Sequence, residues 1–411
     1  MTFGVGCNSK QKMKPAEKVE MTAAKILGNP DYLAISYGGY REKSRDMQPT
    51  IKELKEDLKI LSAMGVKILR TYNVQLKLPH ASNLLEAIHQ LKKEDSAFEM
   101  YVMLGAWIDC LNAWTDKVLN HEVESAQNEG EIARAVALAK KYPDIVKVIA
   151  VGNEAMVKWA ASYFVQPNVI LKWVNHLQDL KKSGELSEDL WITSSDDFSS
   201  WGGGDPLYHT EDLEKLIKAV DYISMHTYAY HNSHYNPVFW KTPNHLRNLS
   251  EKERIDAAMS RALNFAKNQY KGVLNYMKSI GVNKPIHIGE TGWATISSGH
   301  YGIDGSRATD EYKQGLYYKQ LRAWTKKEGI SCFYFEAFDE QWKDAQNTEG
   351  SENHFGLINL KGEAKYALWN LVDSGVFKGL NRNGKSISKT YNGEKDLLMK
   401  DVLVPNTEYI R

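Results

Sequence analysis

The sequence of 411 residues has little of what marks a membrane-spanning or nucleic-acid-binding protein. No apolar run approaches the roughly 20 residues that a membrane-spanning helix requires. The formal net charge is only +1, which gives no electrostatic reason to expect nucleic acid or an anionic membrane surface as a partner. We therefore expect a chain that has no membrane-spanning segment and binds no nucleic acid.

Metal-binding and redox features are scarce as well. Three widely spaced cysteines, an odd number, indicate neither a disulfide framework nor a zinc cluster. No group of His, Asp and Glu has the spacing of metal ligands, and no glycine-rich phosphate loop follows a predicted strand. We therefore expect no metal and no cofactor.

Cys7 stands in a sequence context that allows two interpretations. Residues 5–9, Val-Gly-Cys-Asn-Ser, are similar to the end of a bacterial lipoprotein signal, in which the cysteine becomes lipid-modified. No charged and apolar leader stands in front of them. A lipid anchor at Cys7 would place the protein in the periplasm, at the cell surface or among secreted proteins. The alternative is a cysteine without function.

What the sequence does have is a repeated alternation of strand and helix patterns. Eight apolar stretches become polar or glycine-rich at their C-terminal ends, and most gaps between them carry the spacing of an amphipathic helix. This alternation around the whole chain predicts an α/β fold, a (β/α)8 TIM barrel. The predicted strand segments are residues 32–39, 66–73, 98–104, 145–156, 191–195, 222–228, 285–293 and 331–343.

The barrel pattern sets the expected domain boundaries. Residues 1–25 are predicted to be an N-terminal tether and residues 26–376 the barrel itself. Residues 377–411, rich in Lys, Asn and Gly, are predicted to be an extension packed on the barrel. The polar, aromatic segment 230–248 reads as a long surface loop. No repeat or second domain is evident, and we expect a monomer.

Two of the predicted strands end in the same way. Residues 145–156 run from an apolar strand into a Gly-Asn-Glu sequence ending at Glu154, and residues 285–293 place Glu290 directly after a glycine. In a (β/α)8 barrel the chemistry is placed at the C-terminal ends of the strands, and strands 4 and 7 can face each other across the mouth. One such carboxylate could simply cap a neighbouring helix. The matched pair favours catalysis.

Two carboxylates facing each other can hydrolyse a glycosidic bond. When they are about 5–5.5 Å apart, one protonates the leaving oxygen and the other attacks the anomeric carbon, with net retention of configuration. Their pKa values must differ, since one is needed protonated and the other ionised. Asn153, beside Glu154, could hydrogen-bond a sugar 2-hydroxyl. The 11 Trp and 22 Tyr residues are compatible with stacking on sugar rings.

Three motifs resemble those of glycoside hydrolase family 17, the β-1,3-glucanases, over roughly residues 32–372. The third motif makes the resemblance specific, since the first two occur across many barrels that hydrolyse β-glycosides. The resemblance, closer to bacterial laminarinase-like members than to the plant enzymes, implies that Glu154 is the acid/base and Glu290 the nucleophile. It also implies a polar frame around them, made by Glu340 and Lys343. The motifs are Val151-Gly-Asn-Glu154-Ala, Ile288-Gly-Glu290-Thr-Gly-Trp293 and Phe335-Glu-Ala-Phe-Asp-Glu340-Gln-Trp-Lys343.

The resemblance also implies a substrate and a reaction. We expect an endo-acting, retaining hydrolase that cleaves the β-1,3-glucosidic bonds of laminarin-type β-glucan by double displacement. A β-1,3-glucanosyltransferase with the same site is one alternative, because water and sugar compete for one glycosyl-enzyme. A non-catalytic glycan-binding lipoprotein is another, disfavoured because both carboxylates are present. Endo or exo action depends on whether loops such as 230–248 or 295–305 block the cleft.

Several polar residues near the strand ends have two interpretations each. Glu340 and Lys343 could form a surface ion pair instead of a polar frame. In the frame, Lys343 would favour the ionised form of the nucleophile Glu290. Glu336 follows an aromatic run, would need a partner if buried, and is a candidate to support the site. His226 is either an acid/base or, as we prefer, a hydrogen-bonded neighbour of the nucleophile.

Aromatic residues at the strand ends are candidates either for substrate binding or for core packing. Tyr40, Tyr72 and Tyr228 lie at strand ends where they could contact a sugar. Trp293 and Trp342 are candidate sugar platforms, and we expect at least one of them to line the cleft. Further candidates for stacking, in or near loops that follow strands, are Trp107, Trp159, Trp201 and Trp240.

Overall fold

The computed structural model describes residues 20–407, and within this range eight parallel strands close into a barrel. The first strand pairs with the second on one side and with the eighth on the other, so the sheet has no free edge. The predicted (β/α)8 barrel is therefore confirmed. The barrel strands are β1 (Leu33–Ser36), β2 (Val66–Arg70), β3 (Tyr101–Ala106), β4 (Val146–Asn153), β5 (Trp191–Asp197), β6 (Ile223–His226), β7 (Ile286–Gly292) and β8 (Cys332–Phe335).

Each connection between successive barrel strands contains a long helix, and a further helix follows β8. These helices are α1 (Ile51–Ala63), α2 (His80–Glu94), α3 (Gln127–Lys141), α4 (Pro167–Lys182), α5 (Glu211–Ala219), α6 (Glu251–Ser279), α7 (Glu311–Glu328) and α8 (Trp369–Asp373). Shorter helices span Ala23–Ile26, Pro206–Tyr208, Ala229–Tyr235, Asn244–Leu246, Ser351–His354, Tyr366–Leu368, Thr390–Gly393 and Lys395–Lys400. Two-residue and five-residue strands outside the barrel are Cys110–Leu111, Asn120–Glu124, Glu363–Ala364, Asn381–Arg382, Lys385–Ser386 and Ser388–Lys389.

Local sequence explains where the helices begin and end. The Thr50 hydroxyl accepts from the N–H of Glu53, whose carboxylate accepts in return from the N–H of Thr50, a capping box that starts α1. Ser250 and Glu253 start α6 in the same way. Helix α7 ends at Gly329 in the left-handed conformation.

Side-chain alternation along the strands produces two hydrophobic layers. Tyr101 and Met103 belong to a cluster inside the barrel, whereas Val102 and Leu104 pack between the strands and the helices. The short helix Ala23–Ile26 packs on the inner cluster ahead of β1 and covers the end of the barrel where the strands begin. The opposite end, where the strands finish, carries polar residues such as Asn153 and Glu290.

The segment 230–248 differs from the expected surface loop. It contains the helix Ala229–Tyr235, and both Tyr230 and Trp240 are buried. The two rings pack against Trp293, and Trp240 donates from Nε1 to the carbonyl of Ser306. Tyr230 and Trp240, the second of which was a candidate for sugar stacking, therefore pack between the loops after β6 and β7.

Residues beyond 377 contact the barrel at several places. Arg382 forms a buried ion pair with Asp57 of α1, with Nε and Oδ1 2.9 Å apart. Farther on, the N–H of Thr242 donates to the carbonyl of Asn406. Cys7 lies outside the described residues. None of the helices between residues 20 and 407 has the length and apolar character needed to cross a bilayer.

Candidate active site

The two predicted catalytic glutamates lie at the C-terminal ends of β4 and β7. Glu154 directly follows β4 in a left-handed backbone conformation (φ +47°), and its N–H donates to the carbonyl of Ser195 over 3.0 Å. Glu290 lies within β7 and is buried. A carboxylate oxygen of Glu154 is within 4.8 Å of one of Glu290. This is shorter than the roughly 6.5–9.5 Å at which an inverting pair holds a water between its carboxylates.

Three donors converge on the Glu290 carboxylate. Arg70 donates from Nη1 to Oε2 over 2.6 Å, and the Tyr72 hydroxyl donates to the same oxygen over 2.9 Å. The Tyr228 hydroxyl donates to Oε1 over 2.6 Å. Burial raises the pKa of both tyrosines well above the usual range, so their hydroxyls keep their protons and remain donors.

These neighbours decide the charge of Glu290. Burial alone would raise its pKa, but the charges of His226 and Arg70 and the hydrogen bonds from Tyr228 and Tyr72 outweigh burial and lower it. Burial also lowers the pKa of His226 to about 4, so this ring is neutral at neutral pH. The cation that acts on Glu290 at neutral pH is therefore Arg70, and Glu290 is ionised.

Glu154 has the opposite character. Burial raises its pKa well above the ordinary value, and the negative charges of Glu290 and Asp197 raise it further, against the opposing effect of Arg70. Two carboxyl groups less than 5 Å apart thus have pKa values shifted in opposite directions from the ordinary value, upward for Glu154 and downward for Glu290. One is held protonated and the other ionised, which is the division of roles that general acid and nucleophile require.

A chain of hydrogen-bonded polar side chains leads from Glu154 into the barrel. His226 Nδ1 lies 3.0 Å from Oε1 of Glu154, and its Nε2 lies 2.8 Å from the hydroxyl of Ser195, which is 2.9 Å from that of Ser224. The two serines can pack here because β7 has a glycine beside them: a Cβ at Gly289 would collide with both hydroxyls. The neutral imidazole fixes the orientation of the Glu154 carboxyl group.

A second polar cluster lines the same cleft at the ends of β1 and β8. The Glu340 carboxylate accepts from the N–H of Tyr40 over 3.1 Å and from Nε1 of Trp342 over 2.8 Å. Lys343 forms a close ion pair with Glu336 and lies 3.6 Å from Glu340. Both glutamates are buried, so this is not a solvated surface pair. Burial raises the pKa of Glu336 well above its usual range although the Lys343 charge opposes it.

The site contains one group of potential metal ligands. Glu154, His226 and Glu290 each offer an atom within 4.8 Å of the others, and among residues 20–407 no further group of this kind occurs. However, both oxygens of Glu290 already accept hydrogen bonds, and the guanidinium of Arg70 lies beside them. A divalent cation would meet a fixed positive charge there, so the donor set fits a polar organic substrate better than a metal.

Comparison with known proteins assigns the family. Residues 34–356 match the family described as the BtgE/BtgC glycoside hydrolase domain. This chain belongs to that family. The membership confirms the prediction of a glycoside hydrolase made from the two glutamate motifs.

Individual relatives of this BtgE/BtgC-family domain differ in how much they share with it. A crystal structure of an endo-laminarinase from Formosa Hel1_33_131 is 65% identical, with a TM-score of 0.94, covering 95% of this chain and 99% of that one. A provisionally named glucan endo-1,3-beta-glucosidase, btgC of Aspergillus niger, is 25% identical over 332 residues, 77% of this chain. The chain spans only 40% of the length of that curated relative. A family 17 β-1,3-glucanosyltransferase from Rhizomucor miehei, 18% identical with a TM-score of 0.54, covers 82% of this chain and 96% of its own, and shares the fold.

Two of the predicted site contacts of this BtgE/BtgC-family domain are wrong. Lys343 was expected to hold the nucleophile ionised, but its ion-pair partners are Glu336 and Glu340. His226 was expected to hydrogen-bond to the nucleophile; it does lie beside Glu290, but its hydrogen bonds go to Glu154 and Ser195. Lys343 lines the cleft and His226 is buried, and in both cases only the partner differs from the expected one. The partner depends on how far apart two strand ends lie around the barrel.

The tryptophans divide between core and cleft. Trp293 is wrong as a substrate-binding residue: it is fully buried and donates from Nε1 to the carbonyl of Ala308 over 2.8 Å. Trp201 and Trp240 are buried as well, and Trp159, although 63% exposed, is not among the residues that line the cleft. Trp107 and Trp342 do line the cleft.

The site also contains residues that the sequence analysis did not select. The cleft has a volume of about 660 Å³, and Asn153, Glu290 and the cluster around Glu340 share it with Trp114. Arg70 was not selected, although its position in an apolar strand was a usable signal. A buried arginine needs a charged or polar partner, and Arg70 is buried. Trp114 lies in a hairpin after β3, where sequence gives no indication of direction.

Proposed function

We propose that this chain hydrolyses the β-1,3-glucosidic bonds of laminarin-type β-glucan, within the polymer and with retention of anomeric configuration. We further assign it to glycoside hydrolase family 17, on the three motifs described above. The observation that carries the proposal is the pair Glu154 and Glu290, whose oxygens lie within 4.8 Å and whose pKa values are moved in opposite directions. The 65% identical endo-laminarinase supports the substrate.

In the first step the ionised Glu290 attacks the anomeric carbon while Glu154 gives its proton to the departing glycosidic oxygen. A covalent glycosyl ester forms on Glu290 and the sugar on the leaving side departs with the proton. Once Glu290 is esterified its negative charge is gone, so the pKa of Glu154 falls and this group becomes a base. It then removes a proton from the water that hydrolyses the ester.

The remaining residues position the sugar and the nucleophile. Arg70 balances the negative charge of the Glu290 carboxylate. The hydroxyls of Tyr72 and Tyr228 determine which lone pair of that carboxylate is directed at the anomeric carbon. Asn153 accepts from Arg70 through Oδ1, which leaves its amide nitrogen to donate to the 2-hydroxyl of the reacting sugar. Such a contact strengthens as the oxocarbenium-like transition state forms.

The test is the product profile on laminarin over time, with the anomeric configuration of the first products read by NMR. Early release of a range of oligosaccharides as β-anomers is expected, and initial α-anomers would exclude retention. Glucose as the only early product would exclude endo action. Longer oligosaccharides built from a short acceptor would favour the glucanosyltransferase instead. Glu290→Gln, which keeps the shape but cannot form the ester, is the inactive control.

A polymeric substrate is met outside the cytoplasm, and we propose that the protein acts at the cell surface, in the periplasm or in the medium. Lipid attachment at Cys7 and a monomeric state remain predictions from the sequence. Mass spectrometry of the protein isolated from its native cells tests the first, and light scattering tests the second.

A further inference from the structure

Three aromatic side chains pack together on the β3 and β4 side of the cleft. We call Trp107, Trp114 and Tyr163 the aromatic platform. The rings of Trp114 and Tyr163 are stacked, with centroids 5.2 Å apart and planes 23° apart, and Trp107 lies 5.1 Å from Tyr163. Both tryptophans line the cleft that contains Glu290. The mechanism above uses none of these three residues.

A single carboxylate holds both indoles. Trp107 donates from Nε1 to Oδ1 of Asp109 over 2.6 Å, and Trp114 donates from Nε1 to the same oxygen over 3.1 Å. Asp109 is itself fixed, because its N–H and carbonyl group both bond to the side chain of Asn128 on α3. The two rings therefore have a set orientation before any ligand arrives.

The Trp114 backbone indicates that this orientation has a cost. Its φ of +61° lies in the left-handed region, which a bulky residue rarely adopts. The side chain is 62% exposed, so core burial does not compensate for the strain. The base of its hairpin is anchored independently, since Glu124 accepts from Nε1 of Trp173 on α4 over 2.6 Å. Strain held at an exposed aromatic residue in a cleft is typical of a binding role.

We propose that the aromatic platform binds a glucosyl unit on the leaving-group side of the scissile bond, with Asp109 as the residue that positions it. The proposal rests on the function proposed above and names one subsite of that cleft. β-Linked glucose carries its hydroxyls equatorially, so each ring face presents C–H groups that pack on aromatic rings. An indole pair held at its N–H edges offers such a surface: one face of Trp114 stacks on Tyr163, and Trp114 remains 62% exposed.

The leaving-group side follows from the position of the acid. Glu154 delivers its proton to the oxygen of the departing sugar, so that sugar lies next to Glu154. Tyr163 is in the loop that follows Glu154. Burial raises the pKa of Tyr163, and the negative charge of the nearby Glu154 raises it further. Tyr40, Glu340 and Trp342 line the cleft from the loops after β1 and β8 instead.

Two substrates separate this subsite from the rest of the cleft. Laminarihexaose needs sugar subsites on both sides of the cleaved bond, whereas 4-nitrophenyl β-laminaribioside has a leaving group that is not a sugar. Trp114→Ala should lower kcat/KM for the hexaose about tenfold, the factor expected for one lost aromatic stacking contact. The same variant should cleave the aryl glycoside at nearly the wild-type rate.

Trp159→Ala is the matched control, since this tryptophan is equally exposed but does not line the cleft. It should leave both substrates unaffected. Trp114→Gly removes the indole and the backbone strain together, so it should melt no lower than wild type and still lose activity on the hexaose. An equal loss on both substrates, or no loss on the hexaose, would overturn the proposal.

The role of Asp109 has its own test. Asp109→Asn keeps an oxygen acceptor for the indoles and should retain most hexaose activity, whereas Asp109→Leu should raise KM for the hexaose and leave the aryl glycoside unchanged. Equal behaviour of the two variants would remove the positioning role. If the wild-type enzyme cleaved neither substrate, the proposed function would fail, and calorimetry of hexaose binding to Glu290→Gln with and without Trp114→Ala would still decide the platform.

Discussion

Arg70 of β2 and Glu290 of β7 form a buried ion pair, with Nη1 2.6 Å from Oε2. The same guanidinium donates to Asn153 at the end of β4 and to the carbonyl of Gly289 over 2.8 Å. One side chain thus ties together three strands at the mouth of the barrel. Because a guanidinium stays protonated throughout the pH range in which carboxyl groups titrate, it is a permanent charge beside Glu290.

Arg70→Met should raise the lower apparent pKa of the pH profile of kcat/KM. Removing the cation takes away the positive charge that lowers the pKa of Glu290 at neutral pH and leaves only the two tyrosine hydrogen bonds to oppose the burial that raises it. We expect kcat/KM to fall by about 100-fold or more, comparable to loss of a transition-state donor. Arg70→Lys, which keeps the charge but not the fork, should shift the pKa less. An unchanged acid limb in Arg70→Met would contradict the assignment.

Lys343→Met is the matched test of the other buried cation. Since Lys343 pairs with Glu336, its removal should leave the lower apparent pKa nearly where it is in the wild type. The expected effect is on Glu336, whose raised pKa should rise further without the lysine charge. Infrared titration of a sample with labelled glutamate measures this. A shift of the kinetic acid limb as large as that of Arg70→Met would restore Lys343 as the partner of the nucleophile.

Glu154→Ala should separate the two steps of the reaction. Substrates with activated leaving groups need little protonation, so the glycosyl-enzyme should still form on 4-nitrophenyl β-laminaribioside. Its hydrolysis lacks a base, and azide should enter the space left by the side chain and restore turnover. Formation of a β-glycosyl azide is the expected product. Its absence, with no rescue of rate, would remove Glu154 from the acid/base role.

Glu154→Gln should stabilise the protein at neutral pH and not in acid. The folded state holds the Glu154 proton well above the ordinary pKa of 4.5, so it binds more protons than the unfolded state and wild-type stability falls as pH rises from 4.5 through the folded pKa. Glutamine has no proton to lose and avoids this decline. The variant should therefore melt higher than wild type at neutral pH, with the difference vanishing below pH 4.5. A constant difference at all pH values would argue against the raised pKa.

Arg382→Met should destabilise the fold by about 3 kcal/mol or more, the range for breaking a buried ion pair. The buried Asp57 carboxylate pairs with two cations, Arg41 and Arg382, and also accepts from the Tyr37 hydroxyl. The substitution removes one of these two cations. Lys389→Met, which breaks the more exposed pair with Asp373, is the control and should cost no more than about 1 kcal/mol. Urea denaturation of both variants measures the difference. Equal costs would mean that Arg382 does not anchor the C-terminal residues.

The sequence by itself determined the architecture and the two carboxylates. Strand and helix spacing is a local property that the period of the apolar residues records, so all eight strands were predicted. Once the strands were counted, Glu154 and Glu290 had to lie at the same end of the barrel, because parallel strands all finish there. The opposite protonation of the pair was expected from what the reaction requires, and the burial of Glu154 and the neighbours of Glu290 produce it.

Tertiary structure decided which side chains surround those carboxylates. Arg70 and Glu290 are 220 residues apart, and their contact depends on the closure and stagger of the sheet, which strand patterns do not record. For the same reason Lys343 and His226 have other partners than expected, and Trp293 packs in the core while Trp114 faces the cleft. An aromatic residue after a strand has the same apolar surface in either place. Only the neighbours that reach it from other strands determine whether that surface is buried or left for a ligand.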